Sequence, residues 1–131
     1  MKKTRTKVKV LAAALLAGVL CAGTVAAQAG TVNGTVGGSY VGGDTSITVS
    51  SAYARTLSAY SGVSTSVRAT YYYIDMDTHT FHSETLSDAA ERGSMVSFSV
   101  DSLEYESYDI EAYHYASYNG ESWGDTSYEK Y

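Results

Sequence analysis

The chain has 131 residues, with nine basic and fourteen acidic side chains, no proline, one cysteine and thirteen tyrosines. That length suits one domain and is too short for two. All fourteen acids lie after residue 30, where only Arg55, Arg68, Arg92 and Lys130 remain basic. The net charge of −10 over residues 30–131 repels nucleic acid and anionic lipid and excludes a cationic membrane-attacking peptide.

The first residues differ from the rest. Met1 to Lys9 carries five positive charges, an apolar run extends from Val10 to about Val25, and Ala27-Gln28-Ala29 places small residues at the −3 and −1 positions before Gly30. A basic n-region, an apolar h-region and an A-x-A site predict a Sec-type signal peptide over 1–29 and a secreted, extracellular domain over 30–131. The apolar run is short for a membrane span, and Leu20 stands before Cys21 where a lipid-attachment site carries a small residue. Cleavage removes Cys21, so the exported domain has no disulfide and no thiol chemistry.

The core must be built from unusual material. Leucine, isoleucine, valine and phenylalanine number sixteen of residues 30–131, below the roughly 20% at which high charge signals disorder. Thirteen tyrosines and Trp123 compensate, because rings bury large areas and their placement follows a two-residue period. Tyrosine is therefore expected to serve as core material.

Taken in order, Gly30–Val41 predicts a first strand around Val32, Val36 and Tyr40, with a turn at Gly42-Gly43-Asp44. Thr45–Arg55 predicts a second, with Ile47, Val49, Ser51 and Tyr53 on one face, followed by a loop over Leu57–Gly62. Val63–Ile74 is the longest uninterrupted strand pattern and the one around which the others are expected to pair. Alternation sends Val63, Thr65, Val67, Ala69, Tyr71 and Tyr73 inward and Ser64, Ser66, Arg68, Thr70, Tyr72 and Ile74 outward. Its uncharged Tyr71-Tyr72-Tyr73-Ile74 is flanked by Arg68 and Asp75 as gatekeepers against pairing with other chains. Asp75-Met76-Asp77-Thr78 predicts a turn, and Thr78–Leu86 a strand with His79, Phe81, Ser83 and Thr85 on one face. Ser87–Gly93 predicts a single helical turn stopped by Gly93. Met95–Val100 predicts a short strand with Val96, Phe98 and Val100 inward, followed by an acidic connection at Glu104 and Glu106. Tyr108–Tyr118 alternates strictly, with Ile110, Ala112, His114 and Ala116 inward. Asn119-Gly120 is the clearest hairpin signal, and Glu121 to the C-terminus returns as the last strand. About seven short strands predict an all-β fold, a single antiparallel β-sandwich.

Chemistry-bearing motifs are sparse. Asp75-x-Asp77 starts like a calcium loop but lacks the further oxygens and the distal Glu, so an Asp-rich turn without metal is expected. His79 and His82 fall on opposite strand faces and cannot readily share an ion. His114, between alanines, suits a hydrogen-bonded core histidine. There is no Gly-x-Ser-x-Gly elbow, no His-Glu-x-x-His, no phosphate loop and no cysteine nucleophile; neither an enzyme nor a cofactor is expected. What remains is the aromatic display: Tyr72, Tyr113 and Tyr115 fall on outward faces, where rings can stack on sugars or dock a protein.

The segment His114-Tyr-Ala-Ser-Tyr-Asn-Gly-Glu-Ser-Trp123, with the signal peptide and the Ser/Tyr-rich strands, resembles small secreted β-proteins of Gram-positive bacteria. More weakly, the plan is similar to that of lactococcin-type bacteriocins, exported β-sandwiches that act on cell-wall synthesis; the strong acidity of this chain departs from them. The outward tyrosines point to a secreted, non-enzymatic binding module for an extracellular glycan, cell-wall or protein partner, and the resemblance implies the alternative, an antibacterial protein; the acidic surface predicts no nucleic-acid partner and no membrane association after cleavage. A neighbouring immunity or export gene would mark the second.

Overall fold

The computed structural model describes residues 28–131; the predicted signal peptide lies outside the described residues apart from its last two. Among the described residues there are nine strands: β1 (Gln28–Ala29), β2 (Thr31–Val36), β3 (Ser39–Ile47), β4 (Ser51–Ser58), β5 (Ser64–Asp75), β6 (Phe81–Glu91), β7 (Gly93–Ser99), β8 (Tyr105–Tyr118) and β9 (Glu121–Lys130). They form a five-stranded sheet of order β1-β9-β8-β5-β6 and a four-stranded sheet of order β2-β3-β4-β7. The pairings are antiparallel except for the short β1, which runs parallel to β9. The fold is an all-β sandwich of two packed sheets, as the sequence predicts.

The central strand stands where alternation puts it. β5 is flanked by β8 and β6, which satisfy both of its backbone edges. Val63, Thr65, Val67, Ala69, Tyr71 and Tyr73 are buried, and Arg68 is exposed; Ser66, expected outward, is also buried, between Tyr115 of β8 and Ala89 of β6. In β8 the predicted inward set Ile110, Ala112, His114 and Ala116 is likewise buried. Asn119 and Gly120 have φ of 51° and 81°, the left-handed pair that closes a tight hairpin, and β8 pairs with β9 from Tyr118↔Glu121 onward.

Three predicted elements are corrected. The first hairpin turns at Gly37-Gly38, with φ of 54° and 81°, and not at Gly42-Gly43-Asp44, which lie inside β3. Two glycine pairs compete for one turn, and packing decides between them: a Cβ on Gly43 would come 2.3 Å from the His114 ring. The predicted second strand is two strands, because Thr48 N–H donates to the Ser51 carbonyl at 2.7 Å and turns the chain there. Its inward face consequently carries Ala52, Ala54 and Thr56, while Tyr53 points outward and Val49 is exposed. These small inward residues leave room for the Tyr71 and Tyr73 rings of the opposite sheet. Finally, Ser87–Glu91 is not helical. It extends β6, pairing Ser87↔Arg68 through Glu91↔Ser64, and Arg92 (φ 72°) carries the chain across to the other sheet. Partners along β5 override a weak local preference for helix. The fold therefore has eight strands of six residues or more where seven were expected.

The interior has three tiers. One end is aromatic: Tyr71 stacks on Tyr73 (centroids 5.4 Å) and packs on Phe98 (5.2 Å), and Tyr105 meets Tyr73 edge-on at 5.3 Å. The other end holds Val36, Val41, Val63 and Ala116, covered by Tyr118 and Trp123. Between them lies a polar tier of Thr56, Thr65, Ser94, His114 and Ser127, all buried.

Candidate functional site

The polar tier is closed on itself. Thr56 Oγ1 donates to the Ser66 carbonyl at 3.0 Å and lies 2.8 Å from His114 Nδ1. The hydroxyl proton being committed, Nδ1–H must donate to Thr56, and Nε2 then accepts from the Ser127 hydroxyl at 2.8 Å. Burial lowers the His114 pKa from 6.5 to about 4, against a smaller raising influence of Asp44. Thr65 Oγ1 similarly donates to the Ala90 carbonyl at 2.8 Å, 3.1 Å from Ser94 Oγ. A neutral, doubly hydrogen-bonded imidazole with no route to solvent is a structural group.

The other two histidines are apart from it. His79 occupies the turn after β5 with φ 59°, and His82 stacks on Tyr73 at 5.4 Å. Asp75 Oδ1 accepts the amides of Asp77 (2.8 Å) and Thr78 (2.9 Å), and these backbone bonds, Thr78's foremost, lower its pKa. It fastens its own turn. Among the described residues, no three His, Cys, Asp or Glu side chains are grouped to hold a metal ion.

The structure brings Tyr72, Tyr113 and Tyr115 to the outer face of the five-stranded sheet, each half-buried. Tyr113 stands opposite Arg68 of β5, Tyr115 opposite Ser66, and Tyr72 opposite Asp109, beside the point where the β5–β8 register shifts. A hollow of about 360 Å³ is lined by Arg68, Thr70, Glu111, Tyr113 and Thr126. Nearby, Tyr128 donates to Asp109 Oδ2 at 3.2 Å, and Lys130 Nζ lies 4.8 Å from the Tyr108 ring centre. Burial raises the Asp109 pKa. The same cause, followed by the charges of Glu111 and Asp109, raises that of Tyr72. The face is acidic around Tyr72, and a second hollow of about 490 Å³ runs beside Tyr115, lined by Ser64, Ser117, Tyr118 and Glu121.

The outer face of the four-stranded sheet displays larger exposed apolar side chains, and sequence reasoning missed it. Tyr40 is 56% exposed and Leu57 44%. Between β2 and β4 the floor is Gly42, whose Cβ would come 3.1 Å from the Val32 carbonyl. These residues, with Asn33, Asp44, Arg55 and Ser58, enclose a groove of about 370 Å³, within the roughly 300–1,000 Å³ of small-molecule sites. One end is polar. Arg55 Nε and Nη2 donate to Asp44 Oδ1 and Oδ2 at 3.0 and 2.9 Å, and this bond raises the Arg55 pKa. Arg55 also sits 5.7 Å from the Tyr53 ring centre. The paired glycines thus work in opposite directions: Gly43 admits the His114 ring on the inside and Gly42 opens the groove outside. Alternation from an inward Val41 would have placed Tyr40 and Gly42 together outside, had the turn been read at Gly37-Gly38.

Comparison with protein-family models, with curated proteins and with solved structures finds no match to this chain. Its fold and its surface geometry are what bear on function.

Proposed function

We propose that the chain is a secreted, non-enzymatic binding module that takes a glycan in the groove over Gly42. The observation that carries this reading is the pairing of an apolar floor and wall (Gly42, Tyr40, Leu57) with a planar, bidentate Arg55–Asp44 pair at one end. A sugar ring has one apolar face for tyrosine and equatorial hydroxyls that fit a fixed carboxylate and guanidinium. The net charge of −10 over residues 30–131 disfavours polyanionic polymers, so the ligand is a glycan without acidic groups.

The test is a glycan and cell-wall-fragment binding screen on residues 30–131. Tyr40→Ser and Leu57→Ser should each weaken binding by about tenfold or more, roughly 1.4 kcal/mol, while Tyr113→Ser should leave it near wild type. Loss confined to Tyr72→Ser, Tyr113→Ser or Tyr115→Ser would move the site to the five-stranded sheet. No glycan binding, combined with growth inhibition of neighbouring bacteria, would replace the reading with an antibacterial one.

A further inference from the structure

Gly30 occupies the seam where the two sheets meet. Its N–H donates to the Tyr128 carbonyl of β9 at 2.9 Å, and its carbonyl accepts the Thr45 N–H of β3 at 2.8 Å. One residue thereby ties β9 of one sheet to β3 of the other. Its φ is +78°, a conformation that suits glycine, and a Cβ there would come 3.3 Å from Glu129 Oε1. Glu129, itself half-buried, thus places one carboxylate oxygen beside the Gly30 Cα.

Gly30 is also the residue that follows Ala27-Gln28-Ala29. We propose that the chain is cut between Ala29 and Gly30, and that the freed α-ammonium of Gly30 is held at the seam as an ion pair with Glu129. The cut is a hydrolysis by a signal peptidase acting on the extended chain before it folds. Water adds across the amide, Ala29 leaves with a carboxylate, and Gly30 keeps the nitrogen, protonated to an ammonium. Losing Gln28 and Ala29 removes the parallel pairing Gln28↔Ser127 and Ala29↔Tyr128 but neither of the two bonds that Gly30 makes. The nitrogen already points at Tyr128 O; the hydrogens gained on cutting are available to the adjacent carboxylate, and a charge-assisted hydrogen bond replaces a neutral neighbour.

Two measurements test the proposal. Intact mass of the exported protein should correspond to a chain beginning at Gly30; a different first residue overturns the cut. On purified 30–131, N-terminal acetylation removes the charge and keeps an N–H. It should lower Tm by a few degrees in the wild-type chain and have little effect in Glu129→Gln, while a chain extended by Ala29 should resemble the acetylated one. Equal losses on acetylation in wild type and Glu129→Gln, or none in either, would overturn the ion pair, whatever the protein binds.

Discussion

The two ends of the interior solve the same shortage of aliphatic side chains differently. At one end rings pack on rings, Tyr71 on Tyr73 and Phe98. At the other, rings pack on bare backbone: a Cβ on Gly34 would lie 2.3 Å from Trp123 Nε1, and one on Gly37 would lie 2.5 Å from the Tyr118 ring. The ring-on-ring end gains from shape and polarisability, and the Tyr71 hydroxyl finds a partner in Ser107 at 2.8 Å. The ring-on-glycine end obtains close sheet approach only where no side chain stands on the facing strand. One end is sensitive to loss of volume, the other to gain of it.

The largest effect should come from emptying the aromatic end. Tyr71→Ser removes a fully buried ring and should cost about 3–5 kcal/mol in urea unfolding, whereas Tyr72→Ser, on the outer face, should cost under about 1 kcal/mol. The reverse order would mean that the inward face of β5 is the other one. Next is overfilling where a ring meets glycine. Gly43→Ala places a methyl 2.3 Å from the His114 ring, so the imidazole must leave Thr56 and Ser127; a loss of about 3 kcal/mol is expected. A wild-type melting curve for that variant would show that the ring does not rest on β3.

Acidification probes the polar tier that separates the two ends. The buried His114 titrates at about 4 against 6.5 for the free side chain, so the unfolded chain takes up its proton first as pH falls. This contribution is complete above about pH 6.5, declines between 6.5 and 4, and amounts to about 3 kcal/mol in total. Unfolding free energies from pH 7 to 5 should fall in wild type and flatten in His114→Gln, and the ring resonances of folded wild type should titrate near pH 4. A ring that titrates near 6.5 in the folded protein would place His114 in contact with water. The smallest effect tests conformation without packing. A Cβ on Gly120 meets no atom within 4 Å, so Gly120→Val should cost only the strain of its φ of 81°, about 1 kcal/mol. Equal costs at positions 43 and 120 would remove the distinction between steric and dihedral glycines.

That distinction also separates what was legible in the sequence from what was not. The faces of β5 and β8 are written in the residues themselves, because Val67, Ala69, Tyr71 and Tyr73 oppose Arg68, Thr70 and Tyr72 at a strict period of two. Asn119-Gly120 is local as well, since both residues accept positive φ. The choice between Gly37-Gly38 and Gly42-Gly43 is not local: it depends on where His114, over seventy residues later, places its ring. Ser87–Glu91 depends on β5 for the same reason. The groove followed that error, since Tyr40 and Gly42 share a wall only once both lie in β3. The tyrosines on the five-stranded sheet were legible as outward-facing, but not as half-covered by their own neighbours.

The position of β5 has a consequence in time. Its neighbour β6 follows it directly in the chain, but the other, β8, begins only at Tyr105. A chain made from its N-terminus therefore holds the Tyr71-Tyr72-Tyr73-Ile74 segment with one edge unpaired until nearly all of it exists. Native pairing along that edge joins residues far apart in sequence, from Asp75↔Tyr105 to Ser64↔Ser117, which slows closure. During that interval Arg68 and Asp75, at either side of the segment, are the charges nearest the open edge, and they work on a waiting intermediate that the finished fold no longer contains.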